Sequence, residues 1–178
     1  MNLNKLFEIQ KVLRDRIGYN EPDRFNKLIL ALLVELGECA NEWRGFKFWS
    51  VNQLPHTSAV RVPCMMEEDK EFYNPLLEEY VDKLHFILEI GLEFNFTDID
   101  VLSVKEKDIT IQYIECTGRA YNLYFHNRVT GEVPKVMYEH LFSVFIGLGE
   151  MLGFTWEQIE QAYLEKNREN HRRQEVGY

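Results

Sequence analysis

The chain has 178 residues, room for one well-filled domain and short of what two independent cores need. Hydrophobic residues make up 46% against 28% charged, with only 10 Gly and 5 Pro, which excludes a disordered or collagen-like chain. A formal charge of −9 repels phosphate backbones at long range, so duplex nucleic acid is a poor partner, whereas a small anion neutralised by a divalent cation stays open.

Helical periodicity dominates. Leu3, Leu6, Phe7, Ile9, Val12, Leu13 and Ile17 step by three and four, which predicts a first helix that Gly18 stops. Pro22 suits a first helical turn, so the second helix is predicted from near Pro22 to about Arg44, with Gly45 ending it. Its stripe is Phe25, Leu28, Ile29, Leu32, Leu36 and Ala40, a face that needs other helices to pack on. Residues 50–74 break the pattern with Pro55, Pro63 and the acidic run Glu67, Glu68, Asp69, and read as an irregular surface excursion. Asn74-Pro75 is an N-cap followed by proline at the first helical position, opening a third helix to about Glu93.

The stretch from Asp98 to Lys107 carries little signal. Ile109 to Phe125 mixes β-branched and aromatic residues, and periodicity alone does not separate helix from strand there; its helical neighbours favour helix. Thr130-Gly131 is a turn, Val136 to Leu152 an apolar helix closed by Gly153, and Thr155 with Gln158 a capping box for a last helix, Trp156 to about Gln174. With no sustained strand alternation and no internal repeat, the expectation is a single all-α domain, a helical bundle over residues 1–178.

Cys39, Cys64 and Cys116 are few and far apart, which fits a reducing compartment better than a disulfide framework or a zinc site. The N-terminal residues lack a basic stretch followed by an apolar run. The most apolar window, Leu28 to Leu36, is too short to span a bilayer and meets Glu35 and Glu38. No membrane association and a cytoplasmic location are the expectations.

Four carboxylates repeat a spacing. Glu35 and Glu38 are three apart on the second helix, as are Glu79 and Asp82 on the third. Positions i and i+3 share a helix face, so two such helices packed antiparallel would gather four carboxylates. Like charges at that range demand neutralisation, and a hard divalent cation such as Mg²⁺ provides it. The bland reading is a solvated acidic face, since ExxE and ExxD pairs arise by chance in a chain with 29 acidic residues. Against it, Glu35 lies inside the most hydrophobic run, where a carboxylate is costly to bury. On the last helix Lys166, Asn170, Arg173 and Gly177 step by four, three and four, giving a basic face that could hold an anion, or simply complement the helix dipole.

Together ELGECANEWRGFKFWS (Glu35 to Ser50), EEYVDKLHF (Glu78 to Phe86), YLEKNRENHRRQEVGY (Tyr163 to Tyr178) and the weaker LFEIQKVL (Leu6 to Leu13) resemble the dimeric dUTPase family. That family sits within the all-α nucleoside triphosphate pyrophosphohydrolases, alongside MazG-like enzymes. The resemblance implies Mg²⁺-dependent hydrolysis of dUTP, and of dUDP, giving dUMP, by a homodimer holding two or more Mg²⁺ ions, with Mn²⁺ as a substitute. It implies Glu35, Glu38, Glu79 and Asp82 as metal ligands and Glu35 as the water-activating base. Gln10 matches a uracil-side contact, Lys47 and Trp49 pocket residues, and His85 and Phe86 the wall that leaves no room for a ribose 2′-hydroxyl. Lys166, Asn167, Asn170, Arg173 and Tyr178 match nucleotide- and phosphate-binding positions. Two departures stand out: the long excursion between the carboxylate pairs, and Arg14, where the family tends to carry a smaller polar residue. The alternatives are a MazG-like pyrophosphohydrolase of another nucleotide such as dCTP, and a non-catalytic helical protein that binds a nucleotide or a protein.

Overall fold

The computed structural model describes residues 2–62 and 70–177. Cys64, the Met65-Met66 pair, the acidic run Glu67 to Asp69 and Tyr178 lie outside the described residues. Six helices, α1 (Leu3–Ile17), α2 (Arg24–Trp43), α3 (Pro75–Glu93), α4 (Ile109–Thr130), α5 (Lys135–Met151) and α6 (Trp156–Val176), carry the architecture. The fold is all-α, as the periodicity predicts. None of the described helices is long and apolar enough to cross a membrane.

Local chemistry explains the helix ends. The Asn74 side chain accepts from Leu77 N and Pro75 follows at the first position, while Thr155 and Gln158 form a reciprocal capping box. Gly18 and Gly131 close α1 and α4 in the left-handed region, with φ of 65° and 78°.

Helix α4 runs past the expected Phe125 to Thr130, and both boundaries of the second helix move. The helix predicted from Pro22 starts at Arg24, because Pro22 and Asp23 make a turn instead, and the Asp23 carboxylate is occupied by Tyr19 and Lys27 rather than by the helix end. At the other end Arg44, not Gly45, takes the left-handed cap at φ 65°. Gly45 serves a different need, since a Cβ there would stand 2.4 Å from the Trp43 indole, which packs between Phe46 and Tyr113.

The excursion contains two strands too short to show alternation, β1 (Ala59–Val60) and β2 (Phe72–Tyr73), paired antiparallel. It is tied down where it leaves and rejoins the helices: His56 N donates to Glu42 O, His56 Nδ1 lies 2.7 Å from Glu42 Oε2, and Leu76 N donates to His56 O.

Helix α3 is the axis of the core, packing against α1, α2, α5 and α6, while α2 also meets α4 and α4 meets α5. Its buried residues therefore run round most of its circumference, from Leu76 and Tyr80 to Ile87, Leu88 and Ile90. Tyr80 stacks on Phe145 at 4.4 Å and donates to its carbonyl, and Tyr138 donates to Ile87 O. The weakly patterned stretch before α4 is a strap along α5: Val104 N donates to Ser143 O, and the buried Gln112 Nε2 donates to both Val104 O and Val144 O. Gly147 makes the close approach possible, because a Cβ there would lie 1.9 Å from Val104 O.

Candidate active site

Helices α2 and α3 pack along one another and bring Glu35, Glu79 and Asp82 together, each offering an oxygen within 4.8 Å of the others. Their direction is antiparallel. Leu28 and Ala31, before Glu35 on α2, and His85, Phe86 and Glu89, after Asp82 on α3, line the same cavity. Glu38, the fourth expected ligand, is exposed and outside this group of three, although its charge still acts on Glu35 and Glu79.

The cluster is electrostatically strained. Burial, then the charges of Asp82, Glu38 and Glu79, push the Glu35 carboxyl up to about 7. Burial also raises Glu79 and Asp82, against the lowering effect of Lys83 on the first and Lys166 on the second. Among the described residues, Glu35 Oε2 and Glu79 Oε2 are buried without a hydrogen-bond partner. Buried carboxylate oxygens with nothing donating to them, arranged as three hard ligands, are the donor set that suits a divalent cation.

Two lysines flank the cluster. Lys166 Nζ donates to Asp82 Oδ2 at 2.6 Å and to Glu78 Oε1 at 3.3 Å, holding the basic face of α6 against α3. Lys83, fully buried, donates to the backbone carbonyls of Glu79 and Glu35 and places a positive charge behind the carboxylates.

Two cavities adjoin this centre. One, of about 400 Å³ and mostly apolar, is lined by Gln10, His85, Phe86, Asn170 and Arg173 among the expected substrate residues, with Arg14 and Glu89 added. The other, of about 670 Å³ and polar, is lined by Lys166, Arg168, Arg172 and Arg173 from α6, Glu78 from α3, and Arg61 from the excursion. Arg173 borders both. Asn167 is buried on α6, its Nδ2 without a partner among the described residues, and lines neither cavity. Lys47 and Trp49 also line neither; Trp49 is exposed with its ring edge-on to Phe46 and Phe48.

Sequence reasoning missed Lys83, Glu89 and Arg61. Lys83 had a usable signal, a lysine directly after Asp82 and ahead of Leu84. Glu89 and Arg61 had none, because their partners are far away in the chain. Arg61 lies over the Tyr73 ring at 4.6 Å and pairs with Glu71 and, at 3.6 Å, with Glu78, the carboxylate that Lys166 also contacts. Arg14, the departure from the family pattern, pairs with Glu89 and Glu93, and Arg24 joins it on Glu93.

A search of curated proteins finds no match. The family model for dUTPase matches residues 2–63 and 66–178, nearly the whole chain and all of the carboxylate, cavity and α6 segments. The chain belongs to the all-α dimeric dUTPase family and is an enzyme of dUTP hydrolysis.

Proposed function

We propose that this enzyme hydrolyses dUTP, and dUDP, to dUMP with Mg²⁺ held by Glu35, Glu79 and Asp82, and Glu38 joining them. The observation that carries the reading is the pair of buried, unpartnered oxygens on Glu35 and Glu79 inside one three-carboxylate cluster. Such a cluster would repel a triphosphate unless a cation lay between them. When bound, the divalent cation supplies positive charge that keeps the carboxylates ionised and offsets charge on the phosphate oxygens.

The chain's own residues supply the rest. Glu35 accepts a proton from the attacking water, the role that its place in the cluster suits. Lys166 leaves or shares Asp82 to meet non-bridging phosphate oxygens as a point charge, and Arg173 grips them as a fork. The nucleoside occupies the apolar cavity, with Phe86 against the sugar to exclude a 2′-hydroxyl and Gln10, His85 and Asn170 around the base and sugar. Asn167, Lys47, Trp49 and Tyr178 remain proposed nucleotide contacts by family position.

We also propose a cytoplasmic homodimer. Helix α4 exposes Ile114, Tyr121, Phe125 and Val129 at helical spacing, and α2, packed beside it, exposes Leu30 and Val34. Apolar side chains of that size in rows fit a second copy of the chain better than water.

The test is product formation from dUTP, dUDP, dCTP and UTP with Mg²⁺, with Mn²⁺ and with EDTA. We expect dUMP from the first two, arrest in EDTA and recovery with Mg²⁺ or Mn²⁺. Equal rates on dCTP and dUTP would defeat the uracil assignment, and full turnover in EDTA would defeat the metal assignment.

A further inference from the structure

The apolar cavity has a polar wall whose hydrogen positions are fixed by elimination. Gln10 is buried and its Nε2 lies 2.7 Å from Glu89 Oε1. Burial raises the Glu89 carboxyl, and the Gln10 hydrogen bond and the charges of Arg14 and Arg24 act against that rise. The Arg14 guanidinium donates to both the carboxylate and the backbone carbonyl of Glu89, an ion pair that holds Glu89 ionised. An ionised carboxylate only accepts, so Gln10 presents its NH₂ to Glu89 and turns its carbonyl the other way. That carbonyl, Gln10 Oε1, receives the Tyr163 hydroxyl at 2.8 Å and lies 2.7 Å from His85 Nδ1. A carbonyl oxygen also only accepts, so His85 Nδ1 carries the hydrogen.

The consequence falls on the other ring nitrogen. Burial holds the His85 imidazole neutral, pushing its pKa down to about 3. A neutral ring protonated at Nδ1 has a bare Nε2, an acceptor with no donor of its own. Among the described residues, His85 Nε2 is buried with no hydrogen-bond partner, and the ring, stacked on Tyr163 at 4.3 Å, is part of the cavity lining. An unpartnered buried acceptor costs free energy that a ligand donor would recover.

We propose that Glu89 is a positioning residue: acting through Gln10 it fixes the Nδ1–H tautomer of His85 and so presents Nε2 as the acceptor for a hydrogen donated by the bound nucleoside. This rests on the cavity being the nucleoside site. The deoxyuridine part of a 5′-nucleotide offers two such hydrogens, the imide N3–H and the 3′-hydroxyl, whereas cytosine has an acceptor at N3. If the imide is the donor, the arrangement is a specificity device; if the 3′-hydroxyl is the donor, it selects the sugar. Gln10 in this geometry orients His85, with its carbonyl already saturated.

The experiment is long-range ¹H–¹⁵N NMR of histidine-labelled full-length protein, free and saturated with dUMP, N3-methyl-dUMP or 2′,3′-dideoxyuridine monophosphate. In the free protein His85 should show a protonated Nδ1 and a bare Nε2. With dUMP the Nε2 resonance should move toward the hydrogen-bonded position, and the analogue lacking the donor should fail to move it and bind roughly tenfold more weakly. In Glu89→Gln the Gln10 carboxamide is free to turn, so both tautomers of His85 should appear while the far-ultraviolet spectrum stays helical. A free His85 protonated at Nε2 would overturn the inference without any variant. Movement of the other cavity resonances with dUMP, but not of Nε2, would overturn it alone. A cavity unmoved by dUMP, with dUTP still hydrolysed, would overturn the nucleoside assignment along with it.

Discussion

Replacing Glu35 by Gln should make the metal-free protein more stable and the enzyme inactive. Burial and three neighbouring carboxylates raise Glu35 from an ordinary 4.5 to about 7. The folded state thus binds its proton more tightly than the unfolded chain does. Below about pH 4.5 both states are protonated and Glu35 costs nothing relative to Gln. As pH rises through the window from 4.5 to about 7 the unfolded chain ionises freely, the folded one only against burial and repulsion, and stability is lost. At face value that shift is worth about 3 kcal/mol, and because Glu35 is only partly buried about half of it, ~1–2 kcal/mol, is the expected cost. For a chain of this size that is roughly 3–5 °C in melting temperature. Differential scanning calorimetry in EDTA should therefore find Glu35→Gln melting higher near pH 8, the difference closing near pH 4.5. Mg²⁺ should raise the wild-type transition and not the variant's, and dUTP turnover should fall by roughly 10³-fold or more. A variant melting at or below wild type in EDTA near pH 8, or one that keeps its turnover, would refute the account of the cluster.

Three further outcomes follow from specific contacts. Lys166→Ala should weaken a non-hydrolysable dUTP analogue by roughly 10–100-fold, and Arg61→Ala by about threefold to tenfold, with dUMP binding little changed in either; calorimetric titration decides it, and a dUMP loss as large as the dUTP loss would move both cations away from the phosphate end. Gly147→Ala should destabilise by about 1–3 kcal/mol, read as a lower denaturant midpoint, because the added Cβ meets the Val104 carbonyl backbone; an unchanged midpoint would mean that the strap yields at no cost. The double variant Ile114→Glu, Tyr121→Glu should sediment as a monomer where wild type sediments as a dimer, and a persistent dimer would relocate the interface away from α4.

The parts of the fold legible in the sequence are those whose cause is local. Asn74-Pro75, Thr155 with Gln158, Gly18 and Gly131 each satisfy a helix end with neighbouring atoms, so their patterns could be read directly. Pro22 misled because its fixed φ suits a turn as well as a first helical position, and the competitor for Asp23 was a tyrosine four residues earlier. Gly45 misled because its purpose is contact with Trp43 rather than backbone conformation. The 98–107 strap carried no pattern, since Ser143 and Gln112 hold its backbone from other elements. The carboxylate spacing named the two helices that carry the cluster, yet which three oxygens converge depends on how α2 and α3 are rotated against each other, which spacing alone does not encode.

The order of residues along α3 ties the carboxylate cluster, the proposed metal centre, to the cavity proposed for the nucleoside. Glu79 and Asp82 face α2, Lys83 returns behind the cluster, and His85, Phe86 and Glu89 line the cavity, all within ten residues or about 15 Å of one helix. Such a helix cannot slide or turn to serve one end without displacing the other, and contacts with α1, α2, α5 and α6 fix its rotation. With substrate placed as proposed, the distance between reacting phosphate and nucleoside would be set by helix geometry rather than by a flexible loop, which is what positioning catalysis requires. Helix α6 brings the opposite charge to both ends, with Lys166 on Asp82 and Arg173 bordering both cavities. On the function proposed above, an incoming triphosphate would compete with Asp82 for Lys166, so that entry of substrate and release of the carboxylate cluster toward its cation would be two sides of one exchange.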